Sequence, residues 1–288
     1  ATGIRIQSNV GCTLYAATAT GNLGSGISVD SSSRIRIRHC SAQGNDIGLN
    51  IFPITSNQIL ASRCRLIDNR QGIEITQSRY VTISRSAIKS TSGNIALLDG
   101  PSRLLLCGNT LEGVTGIYFG NGASSVRTYN NIIEPDGIGK SALNYADVDS
   151  DKKDLISDFN LINPIGGAVA GRWKRDLIYS DLREFILGAG QDGHSIGGDP
   201  LFFDPAGEDY HLQSTEGRYC DGSWCEDSEN SPALNTGAVS LADAALSAGV
   251  QPGAAIFPLS DSSGFTSGQD WIEVEADFQV FEDVHIIP

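Results

Sequence analysis

The sequence is poor in residues that many enzymes and membrane proteins depend on. It has no methionine and only 4 histidines among 288 residues. No hydrophobic run approaches the ~18 residues that cross a bilayer, so membrane insertion is not expected. No Ser-His-Asp arrangement, phosphate-binding glycine loop or dinucleotide fingerprint is present. These absences exclude serine-dependent and nucleotide-dependent chemistry of the common types. With no methionine and a start at Ala1, the chain is interpreted as a mature protein or a segment of one.

A short, regular repeat dominates the first half of the chain. Aliphatic residues recur at nearly equal intervals, at Ile4, Ile27, Leu49, Ile73, Ile95 and Ile117. A second column has the same period and contains Cys40, Cys64, Ser86, Asn109 and Asn131. Apolar and polar residues alternate within each repeat, which favours strands over helices. A fixed period of this length is typical of a solenoid whose short strands pair from coil to coil.

The form of the coils resembles a known family. Segments that begin Gly-Ile-x-Ile and close with Asn-x-Ile resemble the right-handed parallel β-helix repeats of the pectate-lyase-like superfamily. The stretch 180–237 resembles the closing segment of large secreted bacterial β-helix proteins. This resemblance implies an all-β, right-handed parallel β-helix (a solenoid) of about seven or eight coils, in a protein that is secreted or at the cell surface. It implies no single reaction, because the superfamily includes lyases, hydrolases, epimerases, adhesins and tail-spikes.

We predict two parts, a parallel β-helix over residues 1–237 and a C-terminal appendage over residues 238–288. Within the first part, Ser180 is expected to cap a short helix that stops at Gly188. In the second, the residues from Trp271 to Phe281 alternate cleanly, which predicts one long strand with one apolar face. The period also predicts that four apolar residues stack in one inward column, namely Ile37, Ile59, Val81 and Leu104.

The 6 cysteines do not settle the redox compartment on their own. Cys220 and Cys225 bracket a polar turn, which predicts a local disulfide. Cys40 and Cys64 should stack one coil apart, at about 4.8 Å. That distance permits either a disulfide or an inward ladder of reduced thiols. Cys12 and Cys107 are expected to be unpaired.

Charge is distributed unevenly along the chain. Residues 1–130 carry 12 basic and 6 acidic residues, whereas residues 131–288 carry 8 basic and 28 acidic residues. Three interpretations remain open: a polyanion-binding surface on the coils, head-to-tail attraction between copies, or a surface kept soluble by its charge. Nucleic acid is not expected as a partner, because no aromatic residues interleave with the arginines on one face.

One column of outward residues offers a candidate catalytic set. It contains Arg5, Ser28, Asn50, Glu74, Ala96 and Tyr118, of which Glu74 is the one carboxylate. Asp99 lies one coil further on, and Arg79 and Arg103 lie near the following turns. A pectate-lyase-like enzyme needs such a carboxylate cluster with a basic residue, and a galacturonan hydrolase needs two carboxylates about 5–10 Å apart. The superfamily's tight motifs are absent here.

A calcium site is one interpretation of the acidic stretch that follows the sixth coil. Asp147, Asp149 and Asp151 occupy alternate positions, as at the start of a calcium loop. Lys152 stands where such a loop has glycine, and no glutamate occupies the twelfth position. A solvated acidic loop is therefore the alternative, and no other cofactor is expected.

The leading functional hypothesis is a secreted, non-catalytic β-solenoid that acts as a structural or adhesive surface scaffold. Such a scaffold could assemble end to end, so its expected partners are a second copy or an extracellular polysaccharide. The alternative is a polysaccharide-active, lyase-like enzyme on an acidic glycan. A passive glycan-binding module is a third hypothesis, for which the aromatic candidates are Tyr80, Tyr118 and Tyr129. The sequence leaves open whether the protein is an enzyme.

Overall fold

The computed structural model divides the chain into two compact units, Ala1–Gly237 and Ala238–Pro288. It describes residues 1–52, 56–120, 122–145, 155–174, 177–220, 223–234, 236–237, 271–275 and 281–285. The first unit is a parallel β-helix whose coils each contribute to three faces, as predicted. Within the described residues, no helix has the length and apolar character needed to span a membrane.

The strands are numbered in chain order and lie on three faces. The first face consists of β1 (Ile4–Gln7), β4 (Ser25–Asp30), β7 (Ile47–Phe52), β10 (Gln71–Thr76), the second halves of β12 (Ala87–Asp99) and β14 (Thr110–Phe119), β17 (Ser141–Tyr145) and β20 (Val169–Trp173). The second face consists of β2 (Thr13–Tyr15), β5 (Ser33–Arg38), β8 (Asn57–Ser62), β11 (Arg79–Ser84), β13 (Ser102–Cys107), β15 (Ser124–Tyr129) and β18 (Ile156–Asp158). The third face consists of β3 (Thr18–Thr20), β6 (Ser41–Gln43), β9 (Arg65–Asn69), the first halves of β12 and β14, β16 (Ile132–Pro135), β19 (Leu161–Ile162) and β22 (Ile196–Gly197).

The core is a set of inward columns, and one predicted column needs a correction. Ile59, Val81 and Leu104 lie opposite one another on paired strands, as predicted. Ile37 does not belong to that column, because Ile59 lies opposite Ile35. The repeat is longer at this coil than at the next one, so extending the shorter interval backwards selects the wrong isoleucine. All of these side chains are 0% to 1% exposed, so they form a continuous apolar stack.

A second column departs from the sequence period for a different reason. Ala96, and not Ile95, lies between Ile73 and Ile117. Strand β12 shifts its register between Ser90 and Asn94, where the chain turns from the third face onto the first. A bulge of this kind adds a residue that spacing alone does not reveal.

Polar ladders satisfy the backbone at the corners of the coils. Asn109 Nδ2 donates to Asn131 Oδ1 at 3.0 Å, and Asn131 Nδ2 donates to Asn160 Oδ1 at 3.1 Å. Asn109 Nδ2 also donates to the carbonyl of Ile83 at 2.9 Å. The asparagines of this column therefore have a structural role, because buried amides pair from coil to coil.

A second asparagine ladder was not recognised from the sequence. Asn22 Nδ2 donates to Asn45 Oδ1 at 2.8 Å, and Asn45 Nδ2 donates to Asn69 Oδ1 at 3.0 Å. Glycine is required beside it, since a Cβ on Gly26 would lie 2.6 Å from Asn45 Nδ2. The recurrence of asparagine at the period of the coils was the signal that could have revealed this ladder.

The short helix exists, but its cap differs from the prediction. Helix α1 spans Leu182–Ala189, Asp181 is its N-cap, and Gly190 ends it in the left-handed conformation. The Asp181 carboxylate accepts from the N–H of Glu184 at 2.8 Å. Ser180 instead donates its hydroxyl to the Glu184 carboxylate at 2.8 Å. Either Ser or Asp can cap a helix, and here the acidic residue forms the capping bond.

The stacked cysteines that follow β5 and β8 of the second face are free thiols. Cys40 and Cys64 are buried free thiols, so of the two alternatives the structure has the inward ladder of reduced thiols. Cys64 Sγ donates to the carbonyl of Ser62 at 3.4 Å, and burial raises the pKa of this thiol to about 11. Cys12 and Cys107 are free as well. Cys225 is not a free thiol, but the side chain of Cys220 lies outside the described residues, so their pairing stays a prediction.

Antiparallel elements follow the coils. Strand β21 (Leu177–Tyr179) pairs with β20, β23 (Phe202–Asp204) pairs with β24 (Asp209–Leu212), and β25 (Arg218–Cys220) pairs with β26 (Ser223–Cys225). In the second unit, β27 (Trp271–Glu275) pairs with β28 (Phe281–His285). The predicted single strand from Trp271 to Phe281 is therefore wrong, because Glu275 lies opposite Phe281 in an antiparallel pair.

Candidate functional site

The predicted catalytic column lies on the outer side of the first face. Arg5, Ser28, Asn50 and Glu74 lie opposite one another on successive strands. Leu97, rather than Ala96, continues the column toward Tyr118. The correction follows from the register shift in β12, which turns Ala96 inward. Glu74 thus remains the one carboxylate of this column, as the sequence indicated.

Glu74 is half-buried and has a perturbed acidity. Burial raises the pKa of its carboxyl, and the nearby guanidinium of Arg70 opposes that rise. Gln71 Nε2 donates to Glu74 Oε2 at 3.3 Å. Arg70 is itself paired with Asp46. A carboxyl with a raised pKa can hold a proton at a higher pH than a solvated one, which is a property of general acids.

The other members of the predicted catalytic set lie on two faces, and the Asp99 carboxylate adds to the rise in the pKa of Glu74. Asp99 lies on the first face opposite Thr76, whereas Arg79 and Arg103 lie on the second face, beyond the turn. Arg103 Nη1 donates to Tyr80 Oη at 2.5 Å, and its Cζ lies 4.9 Å from the centroid of that ring. Within the described chain, no hydrogen bond or ion pair joins either carboxylate to either arginine.

The predicted calcium ligands Asp147, Asp149 and Asp151 lie outside the described residues, so that site stays a prediction. Among the residues that the structure describes, no group of three or more histidine, cysteine, aspartate or glutamate side chains could hold a metal ion.

The second face is rich in arginine. Strands β5, β8, β11, β13 and β15 and the corner residues that follow them contain eight arginines and no acidic residue, and these arginines are Arg34, Arg36, Arg38, Arg63, Arg79, Arg85, Arg103 and Arg127. The other four basic residues among residues 1–130 lie on the first and third faces. Each of them pairs with a carboxylate, as Arg5 with Asp30, Arg65 with Glu208, Arg70 with Asp46, and Lys89 with Glu112.

One edge of this arginine-rich face has an unusual backbone. The corner residue after each strand of the second face adopts a positive φ, as in His39, Arg63, Arg85, Gly108, Asn130 and Phe159. Successive members of this corner column lie one coil apart, about 4.8 Å along the axis. Spacing places His39, Arg63 and Arg85 in one column, but it contains no information about the positive φ of their backbone.

A polar cluster on the third face was missed by the sequence analysis. Lys89 lies opposite Glu112, and Glu112 lies opposite Glu134, on neighbouring coils. Lys89 Nζ lies 2.8 Å from Glu112 Oε1, and Tyr210 Oη donates to Glu112 Oε2 at 2.7 Å. Asn163 Nδ2 donates to Glu134 Oε2 at 2.7 Å. Burial raises the pKa of Glu134, and the neighbouring Glu112 carboxylate adds to that rise.

A cavity of about 370 Å³ opens beside this cluster, where the second and third faces meet. The coils contribute Thr110, Asn130, Ile132, Phe159 and Leu161 to its lining. The segment after the coils contributes Tyr210, Leu212, Ala233 and Thr236. None of the lining side chains carries a charge. The spacing of Lys89, Glu112 and Glu134 could have indicated the cluster, but nothing in the sequence indicated that Tyr210 would line the cavity.

Comparison with known proteins agrees with the observed fold. Residues 1–133 match the family described as "Right handed beta helix region", and residues 188–237 match the family described as "Disaggregatase related". A search of curated proteins finds no match.

Two solved structures are similar over part of the chain. The A-module of the mannuronan C-5 epimerase AlgE6 from Azotobacter vinelandii is 15% identical over 69% of this chain, with a TM-score of 0.42, and the match spans 59% of that module. QnrB1, a plasmid-mediated fluoroquinolone resistance protein, is 13% identical over 69% of this chain and 97% of its own, with a TM-score of 0.19. These low similarities carry no statement about function.

Proposed function

We propose that this right-handed parallel β-helix protein is a secreted, non-catalytic scaffold at the cell surface, which binds an acidic extracellular polysaccharide along its second face. The observation that supports this function is the separation of charge between the faces. Eight arginines lie on the second face, where the strands and corner residues from β5 to β15 contain no carboxylate. A surface of one sign attracts an extended polymer of the other sign.

The first and third faces support the same assignment, because their basic residues are paired with carboxylates. All four of their basic residues in the first six coils are paired with carboxylates of this chain. The basic groups of those faces are therefore paired with carboxylates of this chain, whereas the strands and corner residues of the second face from β5 to β15 contain eight arginines and no carboxylate. The period of the coils places basic groups at regular intervals, which suits a chain of repeating acidic sugars.

The placement of the candidate catalytic residues on different faces favours binding without turnover. Arg103 stacks on Tyr80 on the second face, away from Glu74. A general base must lie within hydrogen-bond reach of the proton that it removes. Glu74 lies on the first face and the two predicted arginines lie on the second, and no hydrogen bond or ion pair joins them within the described residues.

A polymer-binding assay tests this function. We expect the protein to bind polygalacturonate and alginate, and to bind neutral dextran much less. Binding to the acidic polymers should weaken as added salt screens the charges. Replacing the exposed Arg34, Arg79 and Arg127 together by serine should weaken binding to the acidic polymers about tenfold, since each surface charge contributes modestly. The matched control replaces Lys140, Lys174 and Arg183, which removes the same charge away from the second face and should leave binding unchanged. Equal loss in both triple variants, or no preference for acidic polymers, would overturn the proposal.

A lyase-like enzyme on an acidic glycan is the second candidate, and the raised pKa of Glu74 favours it. Unsaturated sugar products are detected by their ultraviolet absorbance. If the protein forms them and the Glu74→Gln variant does not, the enzyme hypothesis is correct and the scaffold proposal is wrong. Stable polymer length during prolonged incubation would support the scaffold.

A further inference from the structure

We infer that the cavity between the corner of the coils and the segment after them is a binding site for one neutral sugar ring. This inference rests on the proposed glycan-binding function and adds a specific subsite to it. The cavity, at about 370 Å³, lies within the roughly 300–1,000 Å³ typical of small-molecule sites. Its lining combines apolar surface with a few hydroxyl and amide groups, as such sites do.

Two aromatic rings in the lining are held in fixed orientations. The Phe159 ring stacks on His194, with centroids 4.7 Å apart and an angle of 6° between the planes. The Tyr210 ring meets Phe202 edge-on at 5.3 Å, and its hydroxyl is fixed by the hydrogen bond to Glu112. Rings that are already immobilised lose little conformational freedom when a ligand binds. The C–H face of a pyranose packs well against such rings, because they present flat apolar area.

The chemistry of the lining selects an uncharged ring. None of the lining side chains is charged, and the carboxylate of Glu112 lies behind the Tyr210 hydroxyl at 2.7 Å. An acidic sugar in the cavity would find no cationic partner in the lining, because the nearby Lys89 is already paired with Glu112. A neutral hexose can instead share a hydrogen bond with the Thr110 hydroxyl and donate to the Thr236 hydroxyl oxygen, whose own proton is donated to the Pro232 carbonyl at 2.9 Å.

The cavity lies at the edge of the arginine-rich second face. Asn130 and Phe159 continue the corner column that begins with His39, Arg63 and Arg85. Two coils separate Arg85 from Asn130, which corresponds to about 10 Å. Gly108 lies between them and has no side chain to interrupt the path. A glycan whose acidic residues follow the arginines can therefore place a neutral residue in the cavity, which indicates a heteropolysaccharide with both kinds of sugar.

Saturation-transfer NMR on the full chain tests this inference. The probes are the methyl glycosides of glucose, galactose, mannose and N-acetylglucosamine, each at millimolar concentration. We expect transfer to the ring protons of at least one of them. Ala233→Trp should abolish the signal, because the indole fills the cavity while the backbone N–H of residue 233 keeps its bond to Ser231. Ile138→Trp is the matched control, since Ile138 is 89% exposed on another loop, and it should keep the signal.

The outcomes separate the cavity from the proposed function. If acidic polymers bind and none of the four glycosides shows transfer, the cavity inference is wrong and the scaffold function stands. The same conclusion follows if the Ala233→Trp protein, with an unchanged melting temperature, keeps its signal. A sugar signal that survives while acidic polymers fail to bind would overturn the proposed function alone.

Discussion

The hydroxyl of Tyr210 donates a hydrogen bond to Oε2 of Glu112 at 2.7 Å, and so joins two residues that are 98 positions apart in the sequence. Arg65 and Glu208 form a second such link, across 143 positions. Together these bonds attach the β23–β24 hairpin to the third face of the coils. Burial and the Glu112 carboxylate both raise the pKa of Tyr210 above its usual range, so the phenol remains a donor throughout the neutral pH range.

Tyr210→Phe should destabilise the protein by about 1–2 kcal/mol, because it leaves the half-buried Glu112 carboxylate with one partner fewer. The measurement is chemical unfolding, together with hydrogen exchange of residues 199–212, which should become faster. Tyr15→Phe is the control, since Tyr15 is 64% exposed on the first coil and should not matter. Unchanged exchange in the hairpin of the Tyr210 variant would show that the bond does not hold it in place.

Val81→Asp should destabilise the protein by about 3–5 kcal/mol, because it buries an unpaired charge between Ile59 and Leu104. Val81 is 1% exposed and lies in the inward column of the second face. Thr82→Asp, on the outer side of the same strand, should cost much less. Thermal unfolding of both variants is the measurement, and equal melting temperatures would contradict the observed register.

The sequence was sufficient for the architecture, since hydrophobic alternation and a fixed interval specify parallel coils without knowledge of any contact. It was insufficient wherever the interval changed. The coil between Ile35 and Ile59 is longer than the one that follows it, and β12 contains a register shift. Ile37 and Ile95 were therefore assigned to columns that they do not occupy.

The repeat interval predicts the candidate sites less well than it predicts the fold. Glu74 was selected as a candidate because it lies on a repeating column, and a column follows directly from the period. Arg79 and Arg103 were grouped with it by closeness in sequence, but a turn places them on another face. Tyr210 was missed because its contact with Glu112 depends on how a non-repeating segment folds back. Periodicity contains no information about such a contact.

Glu134→Gln should raise the melting temperature relative to the parent, and the difference should grow as pH increases from 4 to 7. Burial raises the pKa of Glu134 above its ordinary value of 4.5, so the folded protein holds this proton more tightly than the unfolded chain does. The associated stability is present below the unfolded pKa and is lost as pH rises through the folded pKa. Glutamine stays neutral and can still accept from Asn163.

The measurement is thermal unfolding of parent and variant at closely spaced pH values. Glu229→Gln is the control, because Glu229 is exposed and should give a constant difference. Parallel curves for Glu134→Gln would mean that the folded and unfolded pKa values of Glu134 are the same.

Copies of the chain are predicted to associate end to end through the edge formed by β1, β2 and β3. The alternative prediction is that a preceding part of a longer chain covers this edge. Within the described residues, β1, β2 and β3 each terminate a row of paired strands. Their outer N–H and C=O groups can therefore pair with another chain. Large apolar side chains on this coil are exposed, with Val10 at 69%, Tyr15 at 64% and Leu23 at 92%. An edge contact between unlike surfaces does not close on itself, so it produces filaments rather than dimers.

Sedimentation at increasing protein concentration tests this association. We expect species larger than a monomer, and we expect Val10→Lys with Leu23→Lys to reduce them, since lysine protects exposed edges from pairing. Ile138→Lys, at an exposed position on another coil, should have no effect. A variant that lacks residues 268–288 tests which surface of a second copy pairs with this edge. If removal abolishes association, the C-terminal hairpin supplies the partner strand; if association persists, the far end of the coils supplies it. A monomer at every concentration, in the full chain and in the shortened one, would refute end-to-end assembly, because a bare strand edge would then be insufficient to join two coils.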